Sequence, residues 1–178
     1  MSSSLRHDRS LLDALDVPSV RFSKDVWRIT RSGRDPLRGS SLNTRWGVSG
    51  EFSVLYTSCE RDGALAEIGY RLALEPVWPS KIEHTLHQLE VECDKVLDLS
   101  NIDDLGRLGV DVTKYQSLDY SVTSKIASAA DFLEFEAMLV PSARYPCSNL
   151  VIFSDRPSRV ETINSSTVDW DTWRRAKA

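Results

Sequence analysis

Arg45, Tyr56 and Glu67 place a guanidinium, a phenol and a carboxylate at successive steps of eleven residues. They fall in one stretch, residues 45–71, RWGVSGEFSVLYTSCERDGALAEIGYR. Carried on three consecutive elements, such groups can converge on one ligand that has both phosphates and a sugar, because a guanidinium fork matches phosphate oxygens. Other chemistry-bearing residues are less promising. His84 and His87 are three apart in a strand-like run, which points them to opposite faces and argues against a metal pair. Asp103 and Asp104 read as turn residues. Cys59, Cys93 and Cys147 are odd in number, far apart and without a C-x-x-C pair, so they suggest free thiols rather than a disulfide framework or zinc site.

The elements that must position the central set can be read from periodicity. Residues 52–58, FSVLYTS, alternate as a strand, with Phe52, Val54 and Tyr56 on one face and Leu55 on the other. A helix follows, with Ser58 as its expected N-cap, Ala64, Leu65, Ile68 and Leu72 at helical spacing, and Pro76 as its boundary. On that wheel Glu67 lies at the edge of the apolar stripe, where a carboxylate is half desolvated. Upstream, residues 10–15 predict a short helix, DVWRITR a strand, and SGRDPLRGSSLNT a loop rich in donors. That loop reads as a solvated connection or as a flap over a phosphate-bearing ligand.

Downstream, residues 82–98 read as one long or two consecutive strands, and 102–121 as irregular or short helix broken at Gly106 and Gly109. A helix is expected over 122–133, strands over 136–140, 149–154 (near-continuously apolar, hence central) and 159–163, and a terminal amphipathic helix that buries Trp170 and Trp173. Strands and helices mix without a βαβ rhythm. The expected fold class is therefore α+β, one domain over 1–178 with mixed or antiparallel sheets and flanking helices, an N-terminal lead at 1–20 and a C-terminal helix over 164–178.

The 178 residues, 41% hydrophobic and 27% charged, suit one globular core. A net charge of -4 gives no general electrostatic reason to bind nucleic acid. The first residues, MSSSLRHDRSLLDALD, lack the apolar run of about 7–15 residues expected of a signal peptide. No stretch approaches the roughly 20 apolar residues of a membrane span. The expectation is a soluble, cytoplasmic protein.

Trp27-Arg28, Arg45-Trp46, Tyr56, Ala66-Glu67 and Pro141-Ser142-Ala143-Arg144, followed by a closing strand after Ser148-Asn149, occur in this order and spacing. Together they resemble the RES-domain family, over about residues 25–157. The family comprises toxins of bacterial type II toxin–antitoxin modules, paired with antitoxins bearing an Xre-like helix-turn-helix. The resemblance implies a fold similar to ADP-ribosyltransferases of the diphtheria-toxin type. It also implies cleavage of the nicotinamide–ribose bond of NAD+, with the ADP-ribosyl group passing to phosphate, water or a protein. By the same resemblance the functional arginines fall on Arg28 and Arg45, the tyrosine on Tyr56, the glutamate on Glu67 and the serine on Ser142.

In that scheme Glu67 stabilises an oxocarbenium-like ribose, and Arg28 and Arg45 clamp the pyrophosphate. Tyr56 faces nicotinamide or ribose, and Ser142 helps hold phosphate. NAD+ is a consumed substrate rather than a resident cofactor, and neither G-x-G-x-x-G nor a Walker pattern is present. No metal is implied. The expected partners are a cognate Xre-like antitoxin, NAD+ and inorganic phosphate, without direct nucleic-acid or membrane binding. One departure stands out: the family's frequent GGRWN-like turn is here Asn43-Thr44-Arg45-Trp46-Gly47. It keeps open the alternative of an inactive module that binds the antitoxin and tunes operator binding. An RNA-directed toxin is disfavoured by the acidic charge.

Overall fold

Three apolar clusters organise the chain. The computed structural model describes residues 7–156 and 158–178, so the polar lead over 1–6 lies outside the described residues. The elements run α1 (Arg9–Leu15), β1 (Val20–Arg31), β2 (Val54–Ser58), α2 (Arg61–Ala73), β3 (His84–Asp98), α3 (Ile102–Arg107), α4 (Ser121–Phe132), β4 (Ala137–Pro141), β5 (Ser148–Phe153), β6 (Arg159–Thr167) and α5 (Trp170–Lys177). The architecture is a single α+β domain. Its strands form one mixed sheet, order β1-β2-β5-β4-β3-β6, in which β3–β4 is parallel and the other pairs are antiparallel.

β1 also pairs along its length with β3, so the sheet curls back on itself. Phe22, Val26, Leu55, Leu89, Val91, Leu150 and Ile152, alternate residues of four strands, meet inside this curl. Alternate residues of β2, β4 and β5, namely Val54, Met138, Val140, Val151 and Phe153, pack on the other face against Ile126, Ala127 and Ala130 of α4. The third cluster fixes α2 and α5 to β1 and β3 through Ala64, Leu65, Trp170, Ile29 and Leu86.

The β2–α2 unit follows directly from its sequence, with one correction. Ser58 does not cap the helix; it is the last residue of β2, paired with Asn149, and Glu60 takes the cap position. The Ser58 hydroxyl still accepts from the Glu60 amide at 3.3 Å, which turns the chain out of the strand. Asp62 in the first turn and Arg71 in the last complement the helix dipole. Gly69 admits the Trp173 ring of α5, which would stand 2.3 Å from an added Cβ.

Other expectations also shift. Residues 84–98 are one uninterrupted strand, supported on both sides by β1 and β6. Gly106 sits inside α3, and the break falls at Gly109, whose φ of 94° suits a residue without Cβ. Residues 164–167 belong to β6 and not to the terminal helix, because they pair with Thr85 through Gln88 of β3. None of the described helices is long and apolar enough to cross a membrane.

Candidate active site

Glu67 projects from the middle of α2 toward the turn that joins β4 to β5. Its Oε1 accepts from Ser142 Oγ at 2.7 Å and from Asn149 Nδ2 at 3.0 Å. Both donors reach the same oxygen, so Oε2 receives no hydrogen bond among the described residues. Antiparallel pairing of β4 with β5, Pro141 against Ser148 and Val140 against Asn149, sets the two donors on adjoining strand ends. The turn itself is closed by the Ser142 amide donating to the Cys147 carbonyl at 2.9 Å.

Two small hollows adjoin this carboxylate, and Tyr56, Glu67, Arg71 and Asn149 line both. The larger, about 150 Å³, is completed by Arg28, Ser40 and Thr44 among others. The smaller, about 50 Å³, is completed by Arg45, Trp46, Tyr120 and Arg144 among others. We call them the Arg28 lobe and the Arg45 lobe. Tyr56, half-buried between them, has its phenol pushed well above the ordinary tyrosine range by burial, then by Tyr115 and Glu67 nearby. It stays a neutral hydrogen-bonding group at any physiological pH.

Arg28 donates from Nη1 to the Tyr56 carbonyl at 3.0 Å and from Nη2 to the Arg38 carbonyl at 3.2 Å. Burial lowers its pKa to about 10, with Asp35 opposing, so it remains cationic near neutrality. Its Nε is buried without a hydrogen-bond partner, as are Thr44 Oγ1 and Asn149 Oδ1. Arg45 is held differently. Its Nη1 donates to the carbonyls of Tyr115 and Ser117, and its guanidinium lies 4.8 Å and 5.0 Å from the ring centroids of Tyr115 and Tyr120. Tyr115 is itself anchored, donating to the Pro141 carbonyl at 2.7 Å.

Arg45 and Trp46 form the tip of a tight turn closed between Thr44 and Gly47, with Trp46 only 1% exposed. A Cβ at residue 47 would lie 2.6 Å from Thr44 Oγ1 and 2.8 Å from the Leu42 carbonyl. The Leu42 carbonyl alone therefore requires glycine at 47 in this backbone, whichever residue stands at 44. The donor-rich loop before it is largely exposed, fastened at Ser40 to Val54 by two backbone hydrogen bonds.

The structure thus brings Tyr56, Glu67 and Ser142 together, and it distributes Arg28 and Arg45 to different lobes. Ser142 is committed to Glu67, and the Arg144 amide donates to its hydroxyl at 3.2 Å. Periodicity gave no role to Asn149, Arg71, Tyr115 or Tyr120. Asn149 had a signal: it is a polar residue at the start of an otherwise apolar strand. His84 and His87 are accounted for by packing. Trp170 Nε1 donates to His84 Nδ1 at 3.0 Å, while His87 bridges Thr30 and Ser165. Cys59, Cys93 and Cys147 are free thiols.

Residues 25–173 match the family described as RES domain. The chain belongs to the RES-domain family. A probable NAD(+) phosphorylase of Mycobacterium tuberculosis is 36% identical over 120 residues, which cover 67% of this chain and 56% of that relative. The NAD(+) phosphorylases MbcT of Mycobacterium bovis and M. tuberculosis are 25% identical over 150 residues, or 80% of each chain. The crystal structure of the M. tuberculosis MbcT–MbcA toxin–antitoxin complex shares the fold, with a TM-score of 0.81 at 20% identity, over 94% of this chain and 97% of that one.

Proposed function

We infer that this RES-domain chain is the toxin of a toxin–antitoxin pair and degrades NAD+ by phosphorolysis of the nicotinamide–ribose bond. The observation that carries the reading is the Glu67 carboxylate, held through one oxygen by Ser142 and Asn149 at the junction of two lobes rich in arginine. As the C–N bond breaks, its electron pair goes to the pyridine nitrogen and neutral nicotinamide leaves. Positive charge grows on the ribose. A preorganised carboxylate stabilises that charge without having to reorient. A phosphate oxygen then bonds to the anomeric carbon, giving ADP-ribose-1″-phosphate.

Tyr56, with its phenol held neutral, offers a face and a hydroxyl to the nicotinamide or the ribose. Arg45, Arg71 and Arg144 around the smaller lobe suit the pyrophosphate. Ser142 acts through Glu67 as a positioning residue. NAD+ is the substrate, and no resident cofactor or metal has a role. The likeness to ADP-ribosyltransferases and an Xre-like antitoxin as partner belong to this proposal. The relatives named NAD(+) phosphorylases support phosphate as acceptor over water or protein.

The test is NAD+ loss by the purified chain with and without inorganic phosphate, with products separated by mass. Phosphate-dependent loss yielding ADP-ribose-1″-phosphate is expected. Phosphate-independent loss yielding ADP-ribose would contradict phosphorolysis, and intact NAD+ under both conditions would favour the antitoxin-binding module.

A further inference from the structure

Asn149 is only 4% exposed, held in β5 between Ser58 of β2 and Val140 of β4. Its amide orientation follows from chemistry. An ionised carboxylate can only accept, so the atom 3.0 Å from Glu67 Oε1 is the Nδ2 donor. Oδ1 is then left buried with no partner. A buried carbonyl oxygen without a donor is unfavourable in the free protein, and that penalty is relieved when a ligand supplies the donor.

Two more unpartnered atoms belong to side chains of the same lobe. Arg28 Nη1 and Nη2 are taken by backbone carbonyls while Nε has no partner, and Thr44 Oγ1, on another lining residue, has none either. The side chains lining the Arg28 lobe therefore hold one unpartnered acceptor, one unpartnered N–H donor and one hydroxyl that can act either way. A phosphate group carries only acceptors at its anionic oxygens and would leave Asn149 Oδ1 without a donor. A primary carboxamide carries both N–H donors and a carbonyl acceptor. A volume of about 150 Å³ suits a single aromatic ring bearing that amide.

The geometry points to the Arg28 lobe as the subsite for a primary carboxamide on an aromatic ring, the nicotinamide end of NAD+, with Asn149 as the residue that selects it. This rests on the proposed NAD+ reading. Asn149 Oδ1 accepts from the carboxamide N–H, Arg28 Nε donates to its carbonyl, and Asn149 Nδ2 keeps Glu67 aimed at the adjoining ribose. One side chain thereby couples recognition of the leaving group to placement of the carboxylate. The ligand acquires a direction, with its pyrophosphate toward Arg45, Arg71 and Arg144.

The experiment compares kcat/KM for NAD+ with that for nicotinic acid adenine dinucleotide, whose carboxylate replaces the carboxamide. The wild type prefers NAD+ by about 100-fold or more, as expected of a site whose buried polar groups an analogue leaves unpaired. Asn149→Leu removes the acceptor and lowers that preference by about tenfold or more. Where turnover by Asn149→Leu is too slow to compare, the ratio is read from binding of nicotinamide against nicotinate. Asn149→Asp keeps an acceptor but sets a second carboxylate against Glu67. It retains the preference for NAD+, lowers kcat about 10- to 100-fold and moves the acidic limb of the kcat pH profile upward.

A folded Asn149→Leu protein with the wild-type preference overturns the inference, as does Asn149→Asp with wild-type kcat and pH profile. If the wild type consumes neither dinucleotide, the functional reading fails and the inference fails with it. Consumption of NAD+ with unchanged preference in Asn149→Leu overturns the inference alone.

Discussion

Arg28 and Arg45 line different lobes of one cleft, with Tyr56 lining both, and their guanidinium groups are used differently. Arg45 is caged within the protein: its Nη1 donates to two carbonyls and two tyrosine rings flank it. Arg28 is held by two carbonyls as well, one from each Nη, but its Nε stays buried and unpartnered. A cation caged by aromatic rings braces a wall and presents charge at its rim. An unsaturated one keeps a directed donor in reserve for a ligand. The two arginines are therefore held in unlike ways around the same carboxylate.

Substitutions can break this contrast, and between the two arginines the larger effect is expected at Arg28. Arg28→Met should lower kcat/KM for NAD+ about 100-fold, since it removes a buried charge-assisted donor. Activity within threefold of the wild type in a folded Arg28→Met protein would erase the distinction between the lobes. Arg45→Lys keeps charge and loses the planar fork, so its main effect should be on stability, about 1–2 kcal/mol in urea titration. A larger loss of catalysis than of stability there would reverse the two roles. Ser142→Ala leaves Glu67 one of its two donors, and a fall in kcat of roughly tenfold is expected with little change in melting temperature.

The smallest effect concerns pH. His87 lies opposite Arg28 in the β1–β3 register, and burial, reinforced by that cation, lowers its pKa from 6.5; burial, then Arg31, does the same for His84. Both are neutral in the folded state, whereas the unfolded chain takes up protons near 6.5. Their contribution to stability is full above pH 6.5 and is lost as pH falls through the lowered folded values. Acidification should therefore loosen the Arg28 side first, read as amide exchange in β1 and β3 ahead of the segment around Tyr115. Simultaneous loosening of both would show no such asymmetry.

Much of this was legible locally. The alternation of 52–58 and the helical spacing after it placed Tyr56 on a strand and Glu67 at the border of an apolar stripe, and both hold. The partners of Glu67 were not legible, because Ser142 and Asn149 lie 75 and 82 residues away and meet it only through the sheet order. The Arg45 cage was hidden for a similar reason. Tyr115 and Tyr120 sit in a stretch without periodicity, and only the tertiary fold shows that its backbone carbonyls face Arg45. The Ser58 cap failed because strand pairing with Asn149 outweighed a local capping preference.

If the Glu67 carboxylate drives the proposed cleavage of NAD+, turnover by Glu67→Gln measured beside the wild type will show it. Glutamine keeps an oxygen for Ser142 and Asn149 and removes only the charge, so the fold and its melting temperature should be preserved. NAD+ consumption in phosphate should fall by about 1,000-fold or more. Wild-type turnover in a folded Glu67→Gln protein would contradict the account.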